Sequence, residues 1–242
     1  MGFVRSFAAL LFIIALPVAI VTTTVRIVVN EPRVYEYATD HYNTPARTGI
    51  ERAELLRASG EVREYFNSDG TEPIFVRVQK DGQPISLFNQ RETLHLQDVK
   101  NLFQTSFRVQ ELSVLFVLSY VVGTFIWARE RSLRTLARHV LVSGFLSLAI
   151  IGGVGAIAVS GFDQAFEQFH VIAFDNDFWK LNPSRDHLIQ MFPQQFWQDL
   201  SILVGIVSLA EIGALGLISA VYLGLTRRSA HDPVALAHTA HA

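Results

Sequence analysis

Two histidines carry the chemistry this sequence offers. His95 sits in Leu87-Phe88-Asn89-Gln90-Arg91-Glu92-Thr93-Leu94-His95-Leu96-Gln97-Asp98-Val99-Lys100. His170 sits in Phe169-His170-Val171-Ile172-Ala173-Phe174-Asp175-Asn176-Asp177-Phe178-Trp179. Each lies in a polar and aromatic segment at the foot of an apolar block. Imidazole is the side chain best able to take and return a proton near neutral pH. A pair of them at one bilayer surface points to acid–base chemistry on something lipidic. A lone interfacial histidine more often makes a structural hydrogen bond, so the elements that position the pair decide the matter.

Those elements are membrane helices. Half of the 242 residues are hydrophobic and only 17% are charged. The apolar residues concentrate in four blocks, Phe3 to Val29, Leu112 to Ala128, Val140 to Ser160 and Leu200 to Leu225. A bilayer crossing needs about 20 such residues. The opening Met-Gly-Phe-Val-Arg resembles the start of a signal peptide. Its apolar run is longer than a typical signal core, and no small-x-small cleavage site follows, so it reads as a retained anchor.

Charge gives the orientation. Arg129, Arg131, Arg134 and Arg138 lie between blocks two and three, and Arg227 and Arg228 follow block four. Cytoplasmic loops carry such an excess of positive charge. The segment from Gly161 to Asp199 holds Asp163, Glu167, Asp175, Asp177, Asp186 and Asp199 against Lys180 and Arg185. Both termini are therefore expected in the cytoplasm, with both large loops and both histidines on the outer face. The predicted fold is mainly α, a polytopic membrane protein with four transmembrane helices at residues 3–29, 110–128, 139–160 and 200–225. Residues 30–109 form a small α+β external domain, 129–138 a cytoplasmic loop, 161–199 an external helical hairpin and 226–242 a cytoplasmic tail. Because the chain has no cysteine, single cysteines test this cleanly. Ser132→Cys and Ser184→Cys are expected to react with a membrane-impermeant maleimide from opposite sides of intact cells. Labelling of both from outside would overturn the orientation.

Within the external domain, Thr48 and Glu51 have the spacing of a capping box, followed by an apolar face of Leu55, Leu56, Val62, Tyr65 and Phe66. Ile74, Val76 and Val78 alternate as a strand, Asp81-Gly82 turns it, and Ile85 to Phe88 returns. Asn89 and Glu92 offer a second capping box, opening a helix from about Gln90. On that helix His95, Asp98, Val99 and Leu102 share a face, which places Asp98 to orient the His95 ring. Phe162, Phe166 and Phe169 lead along a short helix to His170. Asn176-Asp177 breaks it, Trp179 suits the membrane interface, and Pro193 suits the first turn of the last helix.

Other features narrow the function. Without cysteine there is no disulfide, thiolate nucleophile or thiolate metal site. A net charge of −2, with no basic stripe and no phosphate-binding glycine loop, gives no sign of nucleic-acid binding. His231, His238 and His241 fall in a loose tail and read as spectators. Gly152-x-x-x-Ala156, Gly205, Gly213 and Gly216 read as close helix packing. Glu211 lies near the bilayer midplane, too deep to meet His95. Arg26, beside Thr22, Thr23 and Thr24, either snorkels outward or lines a cleft for an ester headgroup.

The stretch Phe169-His170, Asn176-Asp177-Phe178-Trp179, Pro183, Asp186-x-Leu188-Ile189-x-x-Phe192-Pro193 resembles the lipoprotein intramolecular transacylase family of four-helix bacterial membrane proteins. So does Phe88-Asn89-x-Arg91-Glu92-x-x-His95-x-x-Asp98-Val99. The resemblance spans nearly the whole chain except the tail. It implies an acyltransferase that moves the sn-2 O-acyl chain of a diacylglyceryl-cysteine lipoprotein to the amine of the same cysteine, leaving a lyso-form lipoprotein. Its partners would be that diacylated lipoprotein and membrane lipids. It implies His95 and His170 as the catalytic pair, with Asp98, Asn176, Asp177 and Trp179 in support and neither metal nor cofactor. On this reading His95, held by Asp98, is the base and His170 the donor to the oxyanion or leaving oxygen, though the reverse is equally open. The competing readings are a non-enzymatic sensor or envelope assembly factor with an external binding domain, and a zinc-dependent membrane hydrolase.

Overall fold

The computed structural model describes residues 2–128 and 132–229. Arg129, Arg131 and the tail histidines 231, 238 and 241 lie outside the described residues, as does the Arg228 side chain. Nine helices and one two-stranded sheet are seen in the described residues, in the order α1 Gly2–Asn30, α2 Pro32–His41, α3 Thr44–Thr48, α4 Arg52–Asn67, β1 Arg77–Lys80, β2 Gln83–Ser86, α5 Gln90–Ala128, α6 Ser132–Ser160, α7 Phe162–Ala173, α8 His187–Met191 and α9 Gln194–Ser229. Four of them, α1, α5, α6 and α9, are long and apolar enough to cross a membrane. The protein is thus a mainly helical, multi-pass membrane protein. Residues 132–138, expected in a loop, are the first turns of α6.

The chain divides into two compact units. The first takes the described parts of Met1–Val21, Gln110–Gly152 and Val207–Ala242. Its surface is apolar, with Leu115, Leu118, Phe145, Leu148, Leu217 and Ile218 all exposed, as lipid-facing helices require. Inside it, Phe12 is buried and stacks on Tyr120 at 4.5 Å. A Cβ added at Gly216 would meet Leu141 Cδ2 at 4.0 Å, whereas one at Gly152 or Gly213 would meet nothing within 4 Å. The close packing expected at those two glycines is not observed.

The second unit takes Thr22–Val109 and Gly153–Ile206. Leu55, Val62, Val76, Val78, Leu87, Leu96, Met191 and Phe196 form its core. The antiparallel pairing of β1 with β2 sets Val78 against Ile85 and Lys80 against Gln83. Asp81 and Gly82 close the turn at positive φ, 52° and 74°, as expected for this dipeptide. Ile74 and Val76 are buried as the alternation predicts, but the ladder starts only at Arg77. Thr48 ends α3 instead of capping α4, whose N-cap is Glu51 without a side-chain bond.

Candidate active site

The second capping box forms as read. Asn89 N–H donates to Glu92 Oε2 at 2.7 Å, and Glu92 N–H donates to Asn89 Oδ1 at 3.2 Å. This reciprocal pair fixes where α5 begins, and hence which way His95, in the second turn, faces. The first turns of α5 carry Arg91, Glu92, Asp98, Lys100 and Arg108, so this part of the helix precedes its apolar, membrane-spanning stretch.

Glu92 also reaches far along the chain. Its Oε1 accepts the Leu188 N–H at 2.6 Å. Asp186 accepts from Asn89 Nδ2 at 3.0 Å and from the Asn182 N–H at 2.6 Å. Both acids are 1% exposed. Burial pushes the Glu92 carboxyl above its usual range, while the N–H groups of Asn89 and Leu188 oppose that shift. Together these groups latch the start of α5 to α8. Sequence spacing reads Glu92 as a capping partner alone and assigns Asp186 no role, although both stand in the two motifs. Glu92→Ala strands the buried Leu188 N–H and the part-buried Asn89 N–H, and lost bonds to a charged acceptor cost about 1.5–3 kcal/mol each. The variant is expected to show a clear fall in thermal midpoint in detergent; an unchanged midpoint would remove the latch.

His170 occupies the last turn of α7. Its ring lies 4.3 Å from Phe166, 5.0 Å from Trp179 and 5.6 Å from Phe174, centroid to centroid. Its Nδ1 is 2.6 Å from the Phe166 carbonyl oxygen. A carbonyl only accepts, so Nδ1 carries the proton and Nε2 keeps its lone pair. The His95 ring lies 5.9 Å from that of His170 and meets Phe174 edge-on at 5.3 Å. Both histidines are 7% exposed. Burial, reinforced by the neighbouring His170, lowers His95 to about 4. Burial also lowers His170, opposed by the bond to Phe166. Both rings are therefore neutral at pH 7.

The expected Asp98–His95 bond is absent. His95 Nδ1 is buried without a hydrogen-bond partner, and Asp98 Oδ2 instead accepts from Asn176 Nδ2 at 2.9 Å. An i,i+3 spacing allows a contact, but here the carboxylate points to a more distant partner. Asn176 Oδ1 accepts the Phe178 N–H at 3.0 Å, which folds the chain after α7. Arg91 Nη1 donates to the carbonyls of Asp177 and Lys180 at 3.2 and 3.1 Å. These ties to α5 hold Trp179 against His170. The Asp177 side chain is exposed and pairs with Lys180 at 2.7 Å. Arg26 rests over the Phe107 ring at 4.8 Å; Phe107 and His95 are separated by about 18 Å of helix rise. Among the described residues, no three His, Asp or Glu side chains converge as a metal ligand set.

A four-helix integral membrane protein with two imidazoles packed together in a polar, aromatic unit is the class these features define. Residues 10–197 match the profile of the lipoprotein intramolecular transacylase Lit, and the chain belongs to that family. It is similar to the in meso structure of the membrane integral lipoprotein intramolecular transacylase Lit from Bacillus cereus, with a TM-score of 0.78 at 17% identity, covering 95% of this chain and 100% of that one. A variant of the Bacillus cereus protein with a histidine replaced by alanine gives a TM-score of 0.70 at 18% identity, covering 94% and 97%. At these identities the likeness is one of fold. An uncharacterised protein of Aquifex aeolicus (strain VF5) is 28% identical over 206 residues, covering 84% of this chain and 89% of that protein.

Proposed function

We propose that this chain moves an O-acyl chain of a diacylglyceryl-cysteine lipoprotein to the α-amino group of the same cysteine, at the outer face of a bacterial plasma membrane. The observation that carries the reading is the buried imidazole pair, 5.9 Å apart, in a chain of this family. Amine and ester belong to one molecule. Nitrogen, Cα, Cβ, sulfur, two glycerol carbons, the ester oxygen and the carbonyl carbon close an eight-membered ring in the attack. The protein's tasks are to fold that ring, take a proton and stabilise an oxyanion.

The tautomers favour His170 as the base, reversing the roles first preferred. Its Nδ1–H is held by Phe166, which leaves Nε2 to accept a proton and supports the imidazolium that results. The C-terminal end of α7 favours the same cation. His95 is the donor. An orphaned buried N–H is rarer than an under-used acceptor, so its buried Nδ1 is the bare nitrogen and Nε2 carries the proton. A neutral imidazole can polarise a carbonyl in this way. The amine nitrogen attacks the ester carbon and its proton passes to His170 Nε2. The oxyanion meets His95 Nε2–H. When the carbon–oxygen bond breaks, His170 returns the proton to the glycerol oxygen. Asn176, the backbone of Asp177, and Trp179 hold the His170 wall. Phe169, Val171 and Ile172, exposed on α7, offer an apolar path for the acyl chain.

Mass spectrometry of a lipoprotein N-terminus from cells with and without this protein tests the reading. An N-acyl, lyso-glyceryl cysteine made only when the protein is present is expected; an unchanged diacyl form would sink it. The purified protein is expected to keep its activity after exhaustive chelation. Loss in chelator with rescue by zinc, and a freed fatty acid as product, would replace this chemistry with metal-assisted hydrolysis. The rate is expected to fall in acid, as His170 becomes protonated below its ordinary pKa of about 6.5. Between pH 7 and 8 it should still rise, because the substrate amine titrates at about 7.7–8.0. A rate that increases with falling pH contradicts a neutral base.

A further inference from the structure

In the first unit, Arg134 and Arg138 of α6 and Arg227 of α9 line one cavity of about 450 Å³, together with Leu141, Leu223 and Gly224. We propose that this cavity holds the phosphodiester headgroup of an anionic glycerophospholipid, with an acyl chain along Leu141 and Leu223. Among the described residues, the charged part of its lining is Arg134, Arg138 and Arg227. Guanidinium is the side-chain group that matches phosphate oxygens in paired, planar fashion. Arg134 Nη2 donates to the Thr226 carbonyl at 3.0 Å. That bond uses one of five N–H donors and fixes the side chain at the cavity edge. A Cβ built on Gly224 meets nothing within 4 Å, so the helix surface there is open. The volume lies within the range of small-ligand sites.

Membrane topology alone accounts for basic residues at this end of α6 and α9. It does not require that they converge on one cavity floored by leucines. Basic pockets between transmembrane helices on the cytoplasmic side are known to take lipid headgroups. The inference is independent of the acyl-transfer reading, which involves only residues of the second unit.

Native mass spectrometry of the full chain in detergent tests it, with dioleoylphosphatidylglycerol, dioleoylphosphatidylcholine and inorganic phosphate as probes. Phosphatidylglycerol is expected to bind at least roughly tenfold more tightly than phosphatidylcholine. Arg138→Gln combined with Arg227→Gln should weaken phosphatidylglycerol roughly 30-fold, about fivefold per arginine. Gly224→Leu fills the cavity with every arginine in place, and should remove the preference in a protein of unchanged thermal midpoint. Equal binding of the two lipids, or a preference that survives both variants, would overturn the proposal. Displacement of phosphatidylglycerol by millimolar inorganic phosphate would assign the site to a soluble phosphate and overturn the lipid.

Discussion

Replacing His170 by alanine is expected to lower acyl transfer about 10²- to 10⁴-fold, the usual contribution of a positioned general base. The protein should still accumulate in membranes, because the ring's partners survive its loss. Phe166 keeps its place in α7, and Trp179 stays tied to α5 through the Arg91 and Asn176 bonds. His170→Gln should be equally inactive, since an amide cannot carry the proton from amine to glycerol. Product would be followed as N-acylated lyso-lipoprotein from purified enzyme. A near-wild-type rate for His170→Ala would remove this residue from the chemistry.

For His95 the expectation differs in kind. His95→Ala should cost about 10²–10³ in turnover, the loss found elsewhere for one oxyanion donor. His95→Gln keeps an N–H near the same place and should recover part of that loss. The pair of glutamine variants thus separates the two roles. If His95→Gln were dead and His170→Gln partly active, the base would be His95, as the shared helix face with Asp98 first suggested. Loss of membrane accumulation by His95→Ala would instead show a packing role, as its edge contact with Phe174 allows.

The membrane helices were legible because their signal is compositional: long apolar runs have few other uses. The Asn89–Glu92 box was legible because both partners lie within one helical turn. Helices α2 and α3 carry little periodic signal. α2 buries only Tyr35, Ala38 and Thr39, and three residues make a faint stripe. Its signals were punctuation, Glu31 bonding the Arg33 N–H and Pro32 opening the first turn. The site was legible in its residue types and not in its pairings. Asp98 sits three residues from His95 on one helix face, and sequence spacing cannot show that Asn176, 78 positions away, takes its hydrogen bond. The capping role of Glu92 is local, whereas its bond to Leu188 and that of Asp186 to Asn89 join residues 96 and 97 positions apart.

The Glu92–Leu188 bond spans 96 positions, and this has a consequence for biogenesis. A ribosome adding about 5–20 residues per second leaves the first histidine segment waiting roughly 5–20 s for its second half. Until then a carboxylate destined for burial has no destination, and the segment cannot close. On the proposed mechanism, reactivity is deferred to the end of synthesis: a chain stalled after its third hydrophobic helix holds one histidine without its partner and is expected to be inactive. A split protein divided between α6 and α7 should regain its reaction only when both fragments are inserted together.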